Sequence, residues 1–412
     1  MNFETVISVG MRDSALSQAQ YLEVQEALRQ VHPEKILRPL MFKTTGDKDL
    51  VTSLRTLDKT DFFTKEIDDA LLAGECRVAL HSAKDLPEPL REGLKLVALT
   101  RGLDPKDVIV YSKPLQAGAR IGTSSKTREE RVLRLFPDAR CLDIRGTIEQ
   151  RLELLDSGIL DAVVVAEAAL LRLKIDRQRL DLPGESTSLQ GQLAVVARSD
   201  DREIEEFFSR LDTRRRFLYL GLDPSRFVCA GKVIHYPVIY TVPRQVSVNI
   251  EMCTHFLFTS KEAVTYFFAQ FKPMPHKKYL AIGNVTAGYL RMYDIEPYLV
   301  AVEETQEGMI EALEGEVLEG AYFCFPRSSR ARPLLTRYLE KRGVSYLAFD
   351  LYDTLPQVQQ SIPDLTQIDA IVFTSPSTVD AFLRIYGKIA QDKELICQGP
   401  ITQQALQAGS SF

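Results

Sequence analysis

An α/β fold with several domains is what this sequence predicts. Short apolar runs alternate with amphipathic stretches along the whole chain, and the second half carries one strand–helix pattern twice. Strands that alternate with helices of this length argue for open, mostly parallel sheets. At roughly 100–200 residues per domain, 412 residues leave room for two to four domains.

The first strand is VISVG (6–10), followed by the helix ALSQAQYLEVQEALRQV (15–31) and the strand ILRPLMF (36–42). A helix TKEIDDALLAG (64–74), with Gly74 as its C-cap, leads into the strand RVALHS (77–82). A second block starts near residue 100 with DVIVY (107–111), RIGTSS (120–125), a helix over 126–135 and CLDIRG (141–146). The helix TIEQRLELLDSG (147–158), the strand AVVVA (162–166) and the helix EAALLRLK (167–174) complete it. Residues 190–198 are placed to return the chain to the first sheet, before the helix EIEEFFSRLD (203–212). The basic stretch TRRRF (213–217) reads as a boundary, a solvated linker in preference to a docking patch.

The repeat pairs FLFTSKEAV (256–264) with IVFTSPSTV (371–379), and AIGNVTAGYL (281–290) with CQGPITQQAL (397–406). Thr259 and Thr374 are 115 residues apart, and Gly283 and Gly399 are 116 apart, so two separate motifs share one offset. Two similar α/β lobes are expected, each with one strand ending in Thr-Ser and another ending at Gly-x-x-Thr. The first copy runs on into IEPYLVAVEETQEGMIEAL (295–313), whereas the second reaches Phe412 at that point, so the second lobe is expected to be short by a strand and a helix.

The composition excludes several classes. A net charge of −5 argues against a general nucleic-acid binder, so anion recognition must come from locally placed arginines. No apolar run approaches the ~20 residues that span a bilayer. The start MNFETVISVGMRDS has no basic segment followed by an apolar core, which favours a cytoplasmic setting. The six cysteines (76, 141, 229, 253, 324 and 397) form no CxxC pair, and neither a metal site nor a disulfide framework is expected.

Three constellations in the first half carry chemistry. HSAKDLP (81–87) follows an apolar strand, which puts Lys84 and Asp85 at a strand's carboxyl end, where open sheets bind ligands. Read alone, it serves equally as an ordinary polar loop. In IGTSSKTREER (121–131), Ser124 or Ser125 caps a helix whose first turn holds Lys126 and Arg128. Cations there oppose the helix dipole, and either a docked anion or Glu129 and Glu130 would relieve the conflict. In DIRGTIEQRLELL (143–155), Arg145 precedes an N-cap at Thr147 and Arg151 lies further along the same helix. With Arg12 after the first strand and Arg172 in LLRLK, these arginines suggest a polyanionic ligand between two lobes.

MRDS with QA (11–14, 18–19), TTGD (44–47), FFTKE (62–66), HSAKDLP, DPKD (104–107), IGTSS, IRG-x4-R (144–151) and GQ (191–192) together resemble porphobilinogen deaminase. The resemblance covers about residues 1–212 and implies that family's first two domains, a pair of periplasmic-binding-protein-like lobes. It implies joining of four porphobilinogen units to hydroxymethylbilane with loss of ammonia. Asp85 is then the catalytic acid, beside Lys84. Arg12, Ser14, Ser124, Ser125, Arg128, Arg145, Arg151 and Arg172 bind carboxylates, and Gln18 helps line the site.

Four departures stand out. The segment between Ser14 and Gln18 is two residues shorter than the family pattern. The family's paired arginines after TSS are Thr127 and Arg128 here. The flexible-loop lysine aligns with Thr60, next to Lys59. No counterpart is expected in this sequence for the third domain, with the Gly-Gly-Cys cysteine that anchors the family's dipyrromethane cofactor. Cys229, in VCAGK, is nearest in sequence but in unmatched surroundings, and Cys76 and Cys141 are expected to be buried.

Residues from about 217 resemble uroporphyrinogen-III synthase, a bilobal α/β family, through LFTSKEAV, AIGNVTA, DIEP (294–297), FPRSSRARPLL (325–335), LYDT (351–354), VFTSPSTV and QGPIT (398–402). The resemblance implies cyclisation of hydroxymethylbilane, with Tyr352 assisting hydroxide departure. Ser260, Thr286, Ser375, Ser377 and Thr402 bind substrate or simply cap helices, and Arg327 and Arg330 meet carboxylates or solvent.

The expected domains are 1–98 with 190–212, then 99–189, then 213–238 with 356–412, and 239–355. The leading reading is a fused enzyme of two consecutive haem-pathway steps, with porphobilinogen and hydroxymethylbilane as its small-molecule partners. Neither nucleic acid nor membrane is expected as a partner, and no oligomeric state is assigned. One alternative leaves only the second half catalytic and makes the first a pyrrole-binding module. Another is a solute-binding or sensor protein, against which Asp85 speaks, since a pure binder of polycarboxylates needs no carboxylate in its cleft.

Overall fold

A computed structural model of the chain describes residues 6–49, 51–53, 55, 61–358 and 361–409. Packing divides the chain into two units. One is Met1–Phe217 with Ser225–Ile234 and Thr366–Ala370; the other is Leu218–Pro224 with His235–Leu365 and Ile371–Phe412.

The first unit opens with β1 (Val6–Arg12), α1 (Ala15–Val31), β2 (Ile36–Phe42), α2 (Thr45–Lys48), α3 (Lys65–Leu72), β3 (Val78–Ser82) and β4 (Leu94–Leu99). The chain then builds a second lobe from β5 (Asp107–Tyr111), β6 (Arg120–Gly122), α4 (Lys126–Leu135), β7 (Arg140–Leu142), α5 (Ile148–Asp156), β8 (Ala162–Ala166), α6 (Glu167–Leu173) and β9 (Arg179–Leu182). It returns through β10 (Leu193–Arg198) and α7 (Arg202–Phe208). The two sheets run β2-β1-β3-β10-β4 and β7-β6-β8-β5-β9. The all-apolar run AVVVA of β8 is buried throughout, as a strand covered on both faces requires.

These sheets correct the expectation of mostly parallel pairing. β1 pairs in parallel with β2 and β3, but β10 is antiparallel to both β3 and β4. In the other lobe β6 is parallel to β7 and β8, while β5 is antiparallel to β8 and β9. The cause is the double crossing between lobes. A strand that re-enters a sheet where the chain left it must run the opposite way.

Two further sheets follow. β11 (Arg216–Tyr219), β12 (Lys232–His235), β13 (Ile239–Pro243), β14 (His255–Phe258), α8 (Lys261–Phe268), β15 (Lys278–Ala281), α9 (Asn284–Arg291), β16 (Leu299–Val300), α10 (Gln306–Glu314), β17 (Tyr322–Ser328), α11 (Leu334–Lys341) and β18 (Ser345–Pro356) come in order. Then come β19 (Ala370–Phe373), α12 (Pro376–Tyr386), β20 (Glu394–Cys397) and α13 (Pro400–Gly409). The six-stranded sheet runs β13-β18-β17-β14-β15-β16 and the four-stranded one β12-β11-β19-β20. The repeat is thus β14-α8-β15-α9 against β19-α12-β20-α13. β15 continues to β16 at the sheet edge, whereas β20 is itself the edge strand.

The TRRRF stretch is not a solvated linker. Phe217 is fully buried and the strand β11 begins at Arg216. Arg214 is held by Asp212 at 2.8 Å, and Arg216 donates to Gln367 at 3.0 Å. No described helix is long and apolar enough to cross a membrane.

Candidate active site

In the first unit, strand ends and helix starts converge on a cleft of about 230 Å³. β1 ends at Arg12, and Ser14 caps α1 by accepting from the Ser17 N–H at 3.2 Å. The Arg12 guanidinium pairs with Asp47 and lies over the Phe63 ring, 4.5 Å from its centre. Burial pushes the Asp47 carboxyl up, but its hydrogen bonds from Arg12 and Thr44 outweigh this and hold it below the usual range. Phe63 sits directly on Gly46, where a Cβ would come within 2.2 Å of the ring. That position therefore requires glycine for close approach.

β3 runs into a tight turn, Ala83–Asp85, at its carboxyl end. The Lys84 ammonium donates to Gln190 Oε1 at 3.3 Å, and burial holds it below the ordinary lysine value, opposed by the charge of Asp85. Asp85 is half-buried, lines the cleft and accepts no hydrogen bond from a described residue.

The other lobe contributes Arg145 and Arg151. Arg145 donates to the Gly46 carbonyl at 3.1 Å and the Asp49 carbonyl at 2.7 Å, and its Nε is buried without a partner. Thr147 and Gln150 form a reciprocal capping box that starts α5. On that helix, Arg151 donates to the Gly146 carbonyl at 3.0 Å and to Ser124 Oγ at 3.3 Å. Burial, with Arg128, Arg145 and Arg12 as like charges nearby, pushes Arg151 down to about 10. Lys84, Arg145 and Arg151 have no carboxylate partner among the described residues.

Other expected residues are engaged elsewhere. Arg128 lines the cleft, but its guanidinium is taken by Asp107 at 2.6 and 3.0 Å. Asp107 also binds Arg131 at 2.6 Å and accepts from Gln190 at 2.8 Å. The cation in the first turn of α4 is therefore neutralised from within, by neither of the two routes expected from sequence. Arg172 is nearly buried, paired with Glu23 at 2.7 Å and with the Gly191 carbonyl at 2.7 Å, and is not among the residues lining the cleft. Gln18 is exposed, its side chain bonded only to the Met41 sulfur at 3.9 Å. Ser125 caps α4. Thr60 and Lys59 lie outside the described residues. Sequence reasoning missed Asp47, Phe63 and Glu149 as cleft residues. TTGD and FFTKE contained the first two; Glu149, in the first turn of α5, gave no signal of its own.

None of the six cysteines lines the cleft. Cys76 is buried as expected, but Cys141 is only half-buried, because β7 is an edge strand. Among the described residues no group of three or more His, Cys, Asp or Glu could hold a metal ion.

In the second unit, Tyr352 of β18 is nearly buried and its hydroxyl lies 2.9 Å from Ser260 Oγ. Ser260 also caps α8, accepting from the Ala263 N–H at 3.0 Å. Burial pushes the Tyr352 phenol up to about 12, so it holds its proton. Thr286 is buried in the first turn of α9, whose Asn284 N–H is already capped by the Glu304 carboxylate at 2.9 Å. Ser375 precedes α12 with its Oγ buried and unpartnered, and Ser377 is half-buried on that helix. Thr402 turns back onto the Gln398 carbonyl at 3.3 Å. Arg327 pairs with Asp350 at 3.3 Å and Arg330 with Asp380 at 3.5 Å. Among these residues, the hydrogen bonds described join only Ser260 and Tyr352 to each other.

Residues 7–206 match the family model described as porphobilinogen deaminase, dipyromethane cofactor binding domain. Residues 230–410 match the model for uroporphyrinogen-III synthase HemD. A probable porphobilinogen deaminase of Chlamydia pneumoniae is 38% identical over 209 residues, covering 49% of this chain and 88% of the relative. A porphobilinogen deaminase of Thermus thermophilus is 36% identical over 249 residues, covering 56% of this chain and 80% of the relative. Among solved structures, the uroporphyrinogen-III synthetase of Helicobacter pylori aligns with 17% identity and a TM-score of 0.35 over 47% of this chain and 88% of that one. A periplasmic substrate-binding protein of Coxiella burnetii aligns with 13% identity and a TM-score of 0.34 over 49% and 90%.

Proposed function

The chain belongs to the porphobilinogen deaminase family through its first half and carries a uroporphyrinogen-III synthase domain behind it, and from that premise we propose how its residues divide the work. It is a tetrapyrrole-biosynthesis enzyme that couples deamination of porphobilinogen to uroporphyrinogen-III synthesis. The roles of individual residues, and a division into domains at 1–98 with 190–212, 99–189, 213–238 with 356–412, and 239–355, are our reading.

One observation carries the assignment of the first site. Lys84, Arg145 and Arg151, three cations without a carboxylate partner, face the same cleft as Asp85. Each porphobilinogen brings an acetate and a propionate, and charge-assisted hydrogen bonds to such groups hold the pyrrole in place. Arg12, Ser14 and Ser124 complete the lining. When the aminomethyl C–N bond breaks, its electron pair leaves with ammonia and the pyrrole nitrogen shares the positive charge that remains. A fixed carboxylate beside that nitrogen stabilises the charge as it develops. We assign this role to Asp85 over Glu149, because Asp85 sits at a strand's carboxyl end beside Lys84, which lines the same cleft.

A dipyrromethane, the group named by the matched family model, bears the same carboxylates. The cleft suits those carboxylates and does not suit a thioether, since no thiol lines it.

In the second unit, Tyr352 is assigned to protonate the departing hydroxyl of hydroxymethylbilane, with Ser260 orienting the phenol. Ser375, with its unpartnered hydroxyl, is the next best binding group; Thr286, Ser377 and Thr402 follow. Arg12, Arg145 and Arg151 are assigned to binding, whereas Arg128 and Arg172 hold the fold.

The test is incubation with porphobilinogen while free ammonia is measured. Asp85→Asn should abolish release and Glu149→Gln should retain it; the reverse pattern would transfer the role to Glu149.

A further inference from the structure

We propose that this chain retains its pyrrole primer without a covalent bond, through ion pairs between the primer's carboxylates and Lys84, Arg145 and Arg151. The proposal rests on the deaminase reading of the first unit.

A thioether anchor needs a thiolate within bonding reach of the cleft. None of the six cysteines is among the residues lining the cleft. Cys76 is buried in an apolar cluster with Ile67, Ala79 and Leu99, and burial pushes its thiol up to about 11. Its sulfur packs beneath β1, 2.8 Å from where a Cβ on Gly10 would stand. Cys141 lies on the edge strand β7, its thiol raised by burial and by Glu129. Cys253 and Cys324 are fully buried, and burial raises the thiol of Cys397.

Cys229 is the nearest in sequence to the deaminase segment, and the helix α1 measures how far away it is. The Arg210 side chain donates to the Val228 carbonyl at 2.9 Å and to the Val31 carbonyl at 3.3 Å. Cys229 therefore sits by the last residue of α1, whereas Ser14 at the other end lines the cleft. Seventeen helical residues at 1.5 Å each put about 25 Å between the two ends. The Cys229 thiol is also raised by burial. There is no room for a separate anchoring domain between the two matched segments either, since one ends at residue 206 and the next begins at 230.

What the cleft offers instead is charge. Arg151 is half-buried among like charges, Arg145 keeps a buried Nε without a partner, and Lys84 donates to Gln190 with the like charges of Arg128 and Arg151 acting on it. Such a cluster is relieved by a polycarboxylate, and a dipyrromethane with two acetates and two propionates supplies four anions. Ion pairs of this kind weaken when salt shortens the screening length to about 3 Å at 1 M.

Intact mass of the full chain tests this. Under denaturing conditions the mass should equal that of the sequence, while the native protein carries a pyrrole that an isotope-labelled synthetic dipyrromethane displaces. Binding of that probe should weaken in 1 M salt, and about 10- to 100-fold in Arg151→Gln or Lys84→Gln, as loss of a hydrogen bond to a charged group predicts. Cys141→Ser, Cys229→Ser and Cys397→Ser, the three half-buried thiols, should bind it unchanged. An adduct of two pyrrole units that survives denaturation would overturn the proposal and leave the deaminase reading standing. A native protein that neither carries pyrrole nor binds the probe would overturn both.

Discussion

Asp107 holds Arg128 with one carboxylate oxygen, at 2.6 and 3.0 Å, while its other oxygen takes Arg131 at 2.6 Å. Two buried guanidinium groups thus depend on one carboxylate, and the lobe that presents Arg145 and Arg151 is built around it.

Asp107→Asn should therefore destabilise the first unit by about 3–5 kcal/mol, the cost of leaving a buried charge unpaired. Burial pushes the Asp107 carboxyl up, but Arg128 and the hydrogen bonds hold it below 3.8. Its stabilisation is then complete above that pH and is lost as pH falls through the lower folded value. Urea denaturation of wild type and variant at neutral and acid pH checks both points. Equal stabilities at neutral pH would refute the structural role.

Arg151→Gln should act in the opposite way. The charged form of Arg151 is disfavoured by burial and by Arg128, Arg145 and Arg12. Removing that charge should leave the melting temperature of the ligand-free protein unchanged or higher, while porphobilinogen KM rises about 10- to 100-fold. Thermal melts with and without substrate read the two effects separately.

Lys84 should make binding pH-dependent. Its folded value lies below 10.5, so just below that pH the unfolded chain holds the proton better and the ligand-free fold gains stability as pH rises. Substrate carboxylates favour the charged amine, so affinity should fall over the same window. Binding isotherms across that range test this, and Lys84→Gln should flatten the profile.

The strands and helices of the first unit were legible from their patterns: the apolar runs DVIVY and AVVVA and the amphipathic helix at 15–31 are found where the pattern put them. The repeat was legible because two motifs share one offset. Partnerships were not. Nothing local to Arg128 announces Asp107, 21 residues earlier, and Arg172 meets Glu23 across 149 residues. An arginine bound for a substrate and one bound for a distant carboxylate look alike in sequence. The antiparallel strands were hidden for a similar reason, since direction is set by where the chain crosses between lobes.

Tyr352→Phe should leave the second unit folded and slow cyclisation on the order of 100-fold, the scale of losing a positioned proton donor. Since burial pushes the phenol up to about 12, the wild-type rate should show no Tyr352 ionisation on the basic side below that value. The readout is the ratio of uroporphyrinogen isomers formed from hydroxymethylbilane, with the uncatalysed isomer rising in the variant. An unchanged ratio would move the proton donor elsewhere.

The most direct measurement supplies the full chain with porphobilinogen alone and follows ammonia and product together. The account predicts one ammonia per porphobilinogen and uroporphyrinogen III as the product, with both lost in Asp85→Asn. A chain that converts added hydroxymethylbilane to uroporphyrinogen III but leaves porphobilinogen untouched would contradict it.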